Sequence, residues 1–282
     1  MKQFSTIKEM KDWRNRQMKK GNSVGFVPTM GALHEGHLSL IKRSKCENDV
    51  TVCSIFVNPI QFNNREDLAK YPRNLLQDAK LLEKSGCDVI FAPSDQEMYP
   101  DTGSPGLNIE FGMLDKVMEG KFRPGHFKGV AIVVKKLFDI VEPARAYFGK
   151  KDFQQLAIIT FMAHMMKLPV QIIPCDIIRE PDGLAMSSRN MRLTIAERNL
   201  APRIYQVLSK VKEKTGKLPV WELKEWAIKK IQENPEMRVE YFEIGERENL
   251  MPLEDWNRKE RAIAFVAVFL GDVRLIDNIE LF

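Results

Sequence analysis

The stretch VPTMGALHEGHLSLIKRS, residues 27–44, decides the fold because it joins a strand-like segment to a helix-like one. Two histidines, His34 and His37, stand three apart at this junction, with Gly36 between them. In an α/β sheet such a junction presents backbone N–H groups and a helix N-terminus to a phosphate. Two imidazoles there can donate hydrogen bonds to phosphate oxygens, and Gly36 lets a flat base or ribose approach the backbone. The stretch therefore predicts a nucleotide-binding turn.

Strand-like and helix-like segments alternate on both sides of this stretch. Apolar, β-rich segments lie at residues 24–28, 50–57, 87–93, 144–149 and 170–174, and amphipathic stretches separate them. Because strands that alternate with helices form right-handed βαβ units, we predict an α/β fold with a doubly wound parallel sheet. Such sheets bind ligands beyond the carboxyl ends of their strands, where the strand order reverses.

After the fifth strand-like segment the pattern changes. A capping-box spacing at Thr194 and Glu197 predicts one long helix that runs to about Lys214, and a second helix is predicted over residues 220–234. Three strand candidates follow, in MRVEYFEIG, RAIAFVAVFLG and DVRLIDNIEL. Helices followed by neighbouring strands are typical of a smaller α+β domain that carries an antiparallel sheet. We therefore predict two domains, residues 1–176 and residues 177–282.

Composition narrows the classes of partner. The 282 residues are 44% apolar, which is enough for a buried core, and their formal net charge is +5. Residues 177–282 hold 18 basic and 18 acidic residues, so no basic lobe is available for nucleic acid. The longest apolar run, at residues 262–270, is too short to cross a membrane. Four scattered cysteines and an N-terminus without a leader-like segment favour a cytoplasmic location.

The histidine pair also has a metal interpretation. Zinc proteases place two histidines four apart on a helix, whereas His34 and His37 are three apart and Gly36 is a poor residue for a helix interior. The chain has two other histidines, His126 and His164, and no cysteine close to the pair. A zinc site completed by a carboxylate stays open as an alternative. So does a pair of ordinary half-buried histidines in a glycine-shaped turn.

A second polar cluster, GLAMSSRNMRL at residues 183–193, follows the last predicted parallel strand. Its MSSRN core places two hydroxyls and a guanidinium close together, which is a compact set of donors for a polyphosphate. The ordinary alternative is a polar linker between two domains, as most stretches of this kind are.

Together, H-x-G-H and M-S-S-R resemble the signature pair of the nucleotidylyl-transferase superfamily. Six blocks narrow the resemblance to the pantoate:beta-alanine ligase family: PTMGALHEGH, SIFVNPIQF, DLAKYPR, GKFRPGHFKGV, FGKKDFQQL and MSSRN. They lie in the family's order between residues 28 and 190, and the similarity is weaker beyond about residue 195. The resemblance implies a Rossmann-like ATP- and pantoate-binding domain of nucleotidylyl-transferase type, followed by a C-terminal lid domain.

The resemblance also implies a reaction. ATP and (R)-pantoate would give pantoyl adenylate and pyrophosphate, and the amine of beta-alanine would then attack the adenylate to give pantothenate and AMP. Because the substrates supply both nucleophiles, we expect catalysis to depend on positioning and on stabilisation of phosphate charge. Further expectations are Mg²⁺ bound with ATP, small-molecule substrates only, a homodimer, and no nucleic-acid or membrane partner.

Site residues are implied by the resemblance as well. Catalytic roles fall on His37, usually the proton donor, and on His34, Lys151 and Arg189. The implied ATP-binding residues are Met30, Gly31, His34, Gly36, His37, Gly149, Lys150, Lys151, Asp152, Ile178, Met186, Ser187, Ser188 and Arg189. The implied substrate-binding residues are Pro28, Thr29, Met30, Asn58, Gln61, Arg123 and Gln155, and the candidate magnesium ligand is Asp78. Many superfamily relatives have lysine where Ser188 stands, so the cationic role passes to Arg189 and Lys151.

Alternatives stay open for individual residues. Lys150 and Lys151 can be a solvated surface pair, and Asp78 can be an exposed carboxylate on a helix. The apolar strand at residues 50–57, near a sheet edge, is a possible dimer interface, although burial within one chain explains it as well.

Rival functions belong to three classes. They are another nucleotidylyl transferase of the superfamily, an aminoacyl-tRNA synthetase and a non-catalytic nucleotide-binding module. A transferase that acts on a phosphate acceptor needs cations where this chain has Gln61 and Gln155, so the two amides favour a hydroxy acid as substrate.

Overall fold

The computed structural model describes residues 1–100, 106, 109–257 and 261–282. Contacts divide the chain into two compact units. The first comprises Met1–Phe111, Phe122–Lys150 and Gln155–Asp176, and the second comprises Gly112–Lys121, Lys151–Gln154 and Ile177–Phe282. The second unit thus includes two short segments that the sequence interpretation assigns to the first domain. The roles of the two predicted domains, in ligand binding and as a lid, stay predictions.

The first unit is built on a parallel sheet. Its six strands are β1 (Lys2–Phe4), β2 (Val24–Thr29), β3 (Val50–Ile55), β4 (Val89–Phe91), β5 (Arg145–Gly149) and β6 (Gln171–Cys175). They are ordered β1-β4-β3-β2-β5-β6, and all the pairings are parallel. This confirms the predicted doubly wound α/β sheet. The strand order reverses between β2 and β5, so the crevice for a ligand lies beyond the carboxyl ends of these two strands.

Helices follow the strands in sequence. Up to residue 165 they are α1 (Ile7–Lys19), α2 (Glu35–Glu47), α3 (Arg65–Lys70), α4 (Leu75–Lys84), α5 (Asp95–Met98), α6 (Met118–Phe122), α7 (His126–Val141) and α8 (Phe153–Met165). On one face of the sheet, Leu40 and Ile41 of α2 pack with Val27 in a buried apolar cluster. Phe138 of α7 contacts Phe26 and Phe148 edge to face. Apolar burial by α2 and α7 therefore holds β2 and β5 in place.

The sheet differs from the sequence prediction in one added strand and in the position of another. The first strand, β1, was not expected, because only three residues form it and they include Lys2 and Gln3. The strand of residues 50–57 is not near an edge, since β3 lies between β4 and β2. Val52 and Cys53 are fully buried there. Burial within one chain therefore accounts for the apolar character of this strand.

The second unit carries the predicted antiparallel sheet. Its helices are α9 (Ile195–Leu200), α10 (Arg203–Lys214) and α11 (Val220–Gln232), and its strands are β7 (Met237–Glu246), β8 (Ala262–Leu270) and β9 (Val273–Glu280). The strands pair antiparallel in the order β7-β8-β9. The expected single helix up to Lys214 is wrong. It ends at Leu200 and restarts at Arg203, because Pro202 has no N–H for the helical ladder and its ring clashes with the preceding turn.

The segment Gly112–Lys121 belongs to the second unit through polar contacts. Glu119 is 6% exposed and accepts hydrogen bonds from both terminal nitrogens of Arg274 and from the hydroxyl of Tyr241. The Gln154 side chain donates to the carbonyls of Leu114 and Val117 and accepts the N–H of Glu119. These bonds tie Gly112–Lys121 to β9 and β7.

Candidate active site

A tight turn leads from β2 to the histidine pair. The Thr29 hydroxyl donates to the carbonyl of Ser54 at 2.7 Å and accepts the N–H of Gly31 at 3.2 Å. Gly31 and Ala32 are both left-handed, with φ of 82° and 50°. A Cβ at Gly31 would lie 3.0 Å from the Asp78 carboxylate and would be strained by the positive φ as well. This position therefore requires glycine.

Asp78 fastens the turn from the adjacent helix α4. Its two carboxylate oxygens accept the backbone N–H groups of Ala32 at 2.9 Å and Leu33 at 2.8 Å. The side chain is buried, at 2% exposure, so the alternative of an exposed helical carboxylate is wrong. Burial raises the pKa of Asp78, and the two N–H bonds oppose that shift.

His34 and His37 flank the N-terminus of α2, where His34 is the N-cap. Nδ1 of His34 accepts the N–H of Gly36 at 3.2 Å, and Nδ1 of His37 accepts the N–H of His34 at 3.4 Å. The ring centroids lie 4.1 Å apart, and the two ring planes are tilted by 44° to each other. A neutral ring that accepts at Nδ1 carries its proton on Nε2, so both rings are Nε2–H donors in this arrangement.

Two predicted substrate residues lie in one buried network with the loop after β2. The amide of Gln61, 7% exposed, donates to Met30 Sδ at 3.0 Å and accepts from Asn58 Nδ2 at 3.0 Å. Asn58 in turn donates to the Gly129 carbonyl and accepts the Tyr99 hydroxyl at 2.8 Å. This chain of bonds fixes the orientation of the Gln61 amide, whose NH₂ faces Met30.

Helix α7 sets the position of Gln61 by backbone contact. A Cβ on Gly129 would lie 2.6 Å from the Ile60 carbonyl oxygen and 2.8 Å from Gln61 Cα. His126, at the start of the same helix, places Nδ1 2.8 Å from the Gln61 carbonyl oxygen. Gly129, His126 and Tyr99 support Gln61. His126 lies in the family-matched block GKFRPGHFKGV, whereas sequence reasoning missed Gly129 and Tyr99, since their support depends on contacts distant along the chain.

Gln155 and Arg123 are two further predicted substrate residues. The Gln155 side chain is half-buried on α8 and makes no hydrogen bond within the described part of the chain. It therefore has donors and an acceptor to offer a ligand. Arg123 is half-buried just before α7, and the backbone N–H of His126 donates to its carbonyl.

Two adjacent lysines follow β5, and they belong to different units. Lys150, in the first unit, pairs with Asp176 at 2.8 Å and lowers the pKa of that carboxyl. Lys151, in the second unit, lies 3.8 Å from Asp152 and makes no ammonium hydrogen bond among the described residues, although its side chain is only 18% exposed. The surface-pair alternative therefore does not describe Lys151, whose half-buried charge is available to an anion.

The MSSR segment forms a short 3-10 turn, Ser188–Arg192. Ser187 caps it by accepting the N–H of Arg189 at 3.2 Å, and Ser188 is 6% exposed. Upstream, the Met186 N–H donates to the Ile178 carbonyl at 3.0 Å, which closes a hairpin-like loop. Ile178 and Met186–Arg189 are therefore parts of one continuous local structure, and their assignment to ATP stays a prediction.

Arg179 fastens this loop and was not identified from the sequence. Its guanidinium donates to both carboxylate oxygens of Asp277, at 2.6 and 3.0 Å, and to the carbonyls of Gly183 and Asn278. It also stacks 3.8 Å from the centroid of the Tyr205 ring. The available signal was an arginine four residues after the end of the last parallel strand.

The described residues do not suit a metal held by protein ligands alone. They contain no group of three or more His, Cys, Asp or Glu side chains placed to hold an ion. The Asp78 carboxylate already accepts two N–H groups, so it fits the role of an anchor better than that of a magnesium ligand. A zinc site at His34 and His37 lacks further ligands among these residues, and the magnesium role of Asp78 stays a prediction.

Comparison with known proteins decides the family. The family model for pantoate-beta-alanine ligase matches residues 2–280. The chain belongs to the pantoate-beta-alanine ligase family. A pantothenate synthetase of Bacteroides fragilis is 50% identical over 280 residues, which cover 99% of each chain. One of Bacteroides thetaiotaomicron is 49% identical with the same coverage.

Solved structures of ligases in this family share the fold. A pantothenate synthetase of Thermus thermophilus is 42% identical, with a TM-score of 0.93 over the full length of both chains. A pantoate-beta-alanine ligase of Francisella tularensis, solved with beta-gamma ATP and beta-alanine, is 37% identical with a TM-score of 0.84 and covers all of this chain and 98% of its own. The chain is therefore an enzyme, a pantothenate-forming ligase.

Among the described residues, every helix is too short or too polar to span a bilayer. Location in the cytoplasm and assembly as a homodimer stay predictions.

Proposed function

We propose that this pantoate-beta-alanine ligase uses ATP in two steps. The pantoate carboxylate attacks the α-phosphorus of ATP, which forms pantoyl adenylate and breaks the bond to pyrophosphate. The amine of beta-alanine then attacks the acyl carbon, which forms the amide, releases AMP and gives up a proton. The ATP and beta-alanine bound in the Francisella tularensis relative support this choice of co-substrates.

The observation that carries the proposal is the histidine pair. Both Nδ1 atoms accept backbone N–H groups at the start of α2, so the neutral rings have only Nε2–H to donate. A helix N-terminus with two neutral donors suits a phosphate that gains charge in the transition state. His34 and His37 are therefore assigned to the phosphates of ATP, with Gly31 and Gly36 allowing close approach.

Two cationic groups of the second unit are assigned to ATP by the family resemblance. Lys151 is half-buried and makes no ammonium hydrogen bond within the described residues, so an anion would relieve the cost of its burial. Arg189, in the MSSR turn, is assigned the positive charge that a lysine at the position of Ser188 supplies in many relatives of the wider superfamily. Asp152 is exposed and can accept from a ribose hydroxyl.

Pantoate is assigned to the two glutamines. Gln61 has an amide of fixed orientation, and the Gln155 amide has no internal partner in the described chain. Neutral amides hold hydroxyls and a carboxylate without the ion pair that would weaken a carboxylate nucleophile. Magnesium is expected to accompany ATP on its phosphates, and no step above depends on a protein ligand for it.

Exchange of labelled pyrophosphate into ATP tests the proposal. With pantoate present and beta-alanine absent, we expect exchange, and addition of beta-alanine should convert ATP to AMP, not ADP. Acetate in place of pantoate is the control and should give none. Formation of ADP would indicate an acyl phosphate, and absence of exchange with pantoate would exclude the adenylate.

A further inference from the structure

We propose that Asp277 and Asn278, neighbours on β9, are positioning residues of the nucleotide site. They hold the backbone of Lys151 and the base of the Ile178–Arg189 loop against one strand. The inference rests on the proposed assignment of these two segments to ATP. Neither residue stands out in the sequence, since both lie within an ordinary strand more than 80 residues beyond the loop.

Asn278 acts on Lys151. Its side chain is 4% exposed, and Nδ2 donates to the Lys151 carbonyl at 2.9 Å. The two residues are 127 positions apart, so this bond fixes the path of the chain where β5 gives way to α8. A lysine is a flexible point charge, and the placement of its ammonium depends on where its backbone is held.

Asp277 acts on the loop through Arg179. The carboxylate is 4% exposed and accepts hydrogen bonds from both terminal nitrogens of Arg179. This bidentate geometry fixes the plane of the guanidinium. The same guanidinium donates to the Gly183 carbonyl at 3.1 Å, at a glycine with φ of 95°. Asp277 therefore sets the turn from which Met186–Arg189 continue.

Asn278 also contacts Arg179, the partner of Asp277, and Asp277 also interacts electrostatically with Lys151, the partner of Asn278. The Asn278 carbonyl accepts a bond from Arg179 at 3.3 Å, and the Asn278 N–H donates to Asp277 Oδ1 at 2.8 Å. Burial raises the pKa of Asp277, while Arg179 and, more weakly, Lys151 oppose the shift. One buried carboxylate thus lies within electrostatic reach of a cation from each segment.

A purely structural role would not require this chemistry. An apolar pair of similar size would fill the volume, and replacing a buried ion pair by apolar residues is often neutral or stabilising. The polar pair instead links two segments that supply the proposed phosphate contacts. Misplacement by about 1 Å of such groups can cost roughly 100-fold in rate.

The test compares Asn278→Ala, Asp277→Asn and the milder Arg179→Lys in the full-length enzyme. Lys151→Ala serves as a reference for loss of an ATP contact. Glu243→Gln is the matched control, because Glu243 forms a half-buried ion pair with Lys224 in the same unit, on β7. For each variant, KM for ATP, KM for pantoate, kcat and the midpoint of thermal unfolding are measured.

Positioning predicts that Asn278→Ala and Asp277→Asn lower kcat/KM for ATP by roughly 10- to 100-fold, with the KM for pantoate within about twofold. Arg179→Lys should give a smaller loss in the same direction, and Glu243→Gln none. A fall in thermal midpoint with unchanged KM values, shared by Glu243→Gln, would overturn the inference. If Lys151→Ala impairs ATP use while the three variants do not, the inference alone fails. If Lys151→Ala is also harmless, the proposed ATP site fails with it.

Discussion

The imidazoles of His34 and His37 lie with their centroids 4.1 Å apart and their planes tilted by 44°, and each turns Nδ1 toward a backbone N–H of the same turn. A proton added at either Nδ1 would oppose that N–H and break the bond. Two positive rings at this distance would also repel by about 4 kcal/mol at an effective dielectric constant of 20. Because each Nδ1 accepts a backbone N–H, the Nε2–H side of each ring is the donor side, and we predict that His37 donates a hydrogen bond from it.

Substitutions at His34 should separate its role as the N-cap of α2 from its proposed role as a phosphate donor. Asparagine is a good N-cap, so His34→Asn should leave thermal stability nearly unchanged while kcat/KM for ATP falls about 100-fold. His34→Ala should show the same loss of activity and, in addition, a loss of about 1 kcal/mol of stability. Steady-state kinetics and chemical denaturation measure the two effects.

His37→Ala is the companion variant. Turnover should fall about 100-fold or more while ATP binding, measured by calorimetry, changes less, because the donor acts mainly on transition-state charge. Equal losses in binding and turnover would make His37 a ground-state contact instead.

Asp78 should act as an anchor. Asp78→Ala removes the acceptor for two buried N–H groups, so we expect a loss of about 2 kcal/mol or more and weaker ATP binding. The dependence of activity on Mg²⁺ concentration should keep its midpoint. A shift of that midpoint in the milder Asp78→Asn variant would support the magnesium role instead.

The pH dependence of stability gives a second test of Asp78. Since burial raises its pKa above the ordinary 3.8, the folded state binds the proton more tightly than the unfolded chain. The contribution of Asp78 to stability therefore falls as pH rises from about 3.8 through the raised value. The difference in unfolding free energy between wild type and Asp78→Ala should shrink across that window, and a growing difference would contradict the shift.

Gly129→Ala should weaken pantoate binding indirectly, by displacing the backbone of Gln61. Alanine normally favours a helix over glycine by about 1 kcal/mol, but here its Cβ would meet the Ile60 carbonyl at 2.6 Å. The turn that carries Gln61 must shift, so KM for pantoate should rise roughly tenfold and KM for ATP much less. Lys128→Ala, at the exposed neighbouring position, is the control and should leave both unchanged.

Thiol labelling checks the packing of the first unit. Burial raises the pKa of Cys87 to about 12 and also raises the pKa of Cys53 and Cys175, whereas Cys46 is exposed. At pH 8 a thiol reagent should modify one cysteine per native chain and all four in denaturant. Rapid modification of Cys53 or Cys87 in the native enzyme would show that the sheet opens.

Most of the fold could be predicted from local sequence patterns. Five of the parallel strands, the antiparallel sheet and the turn at His34 follow from apolar periodicity and from glycine and capping residues. Strand β1 could not be predicted, because an edge strand of three residues has too little apolar pattern. The break before α10 could have been foreseen from Pro202, which outweighs the helical pattern around it.

Contacts between distant residues could not be foreseen in the same way. The bond from Asn278 to Lys151 spans 127 positions, and an asparagine in a strand has no feature that indicates its partner. Asp78 resembled any acidic residue on a helix surface, and only the path of the turn at Ala32 shows why it is buried. Such residues depend on tertiary geometry, which a single sequence does not encode locally.

Three separate stretches of chain form the second unit, which limits the fragments and chimaeras that can fold. A fragment starting at Ile177 would lack Glu119, the partner of Arg274 and Tyr241, and Gln154, which holds Gly112–Lys121 in place. Arg274 would keep its hydrogen bonds to Glu240 but lose those to Glu119. The C-terminal part is thus not a transplantable module, and chimaeras joined at residue 176 need matching residues at 112–121 and 151–154 from the same parent.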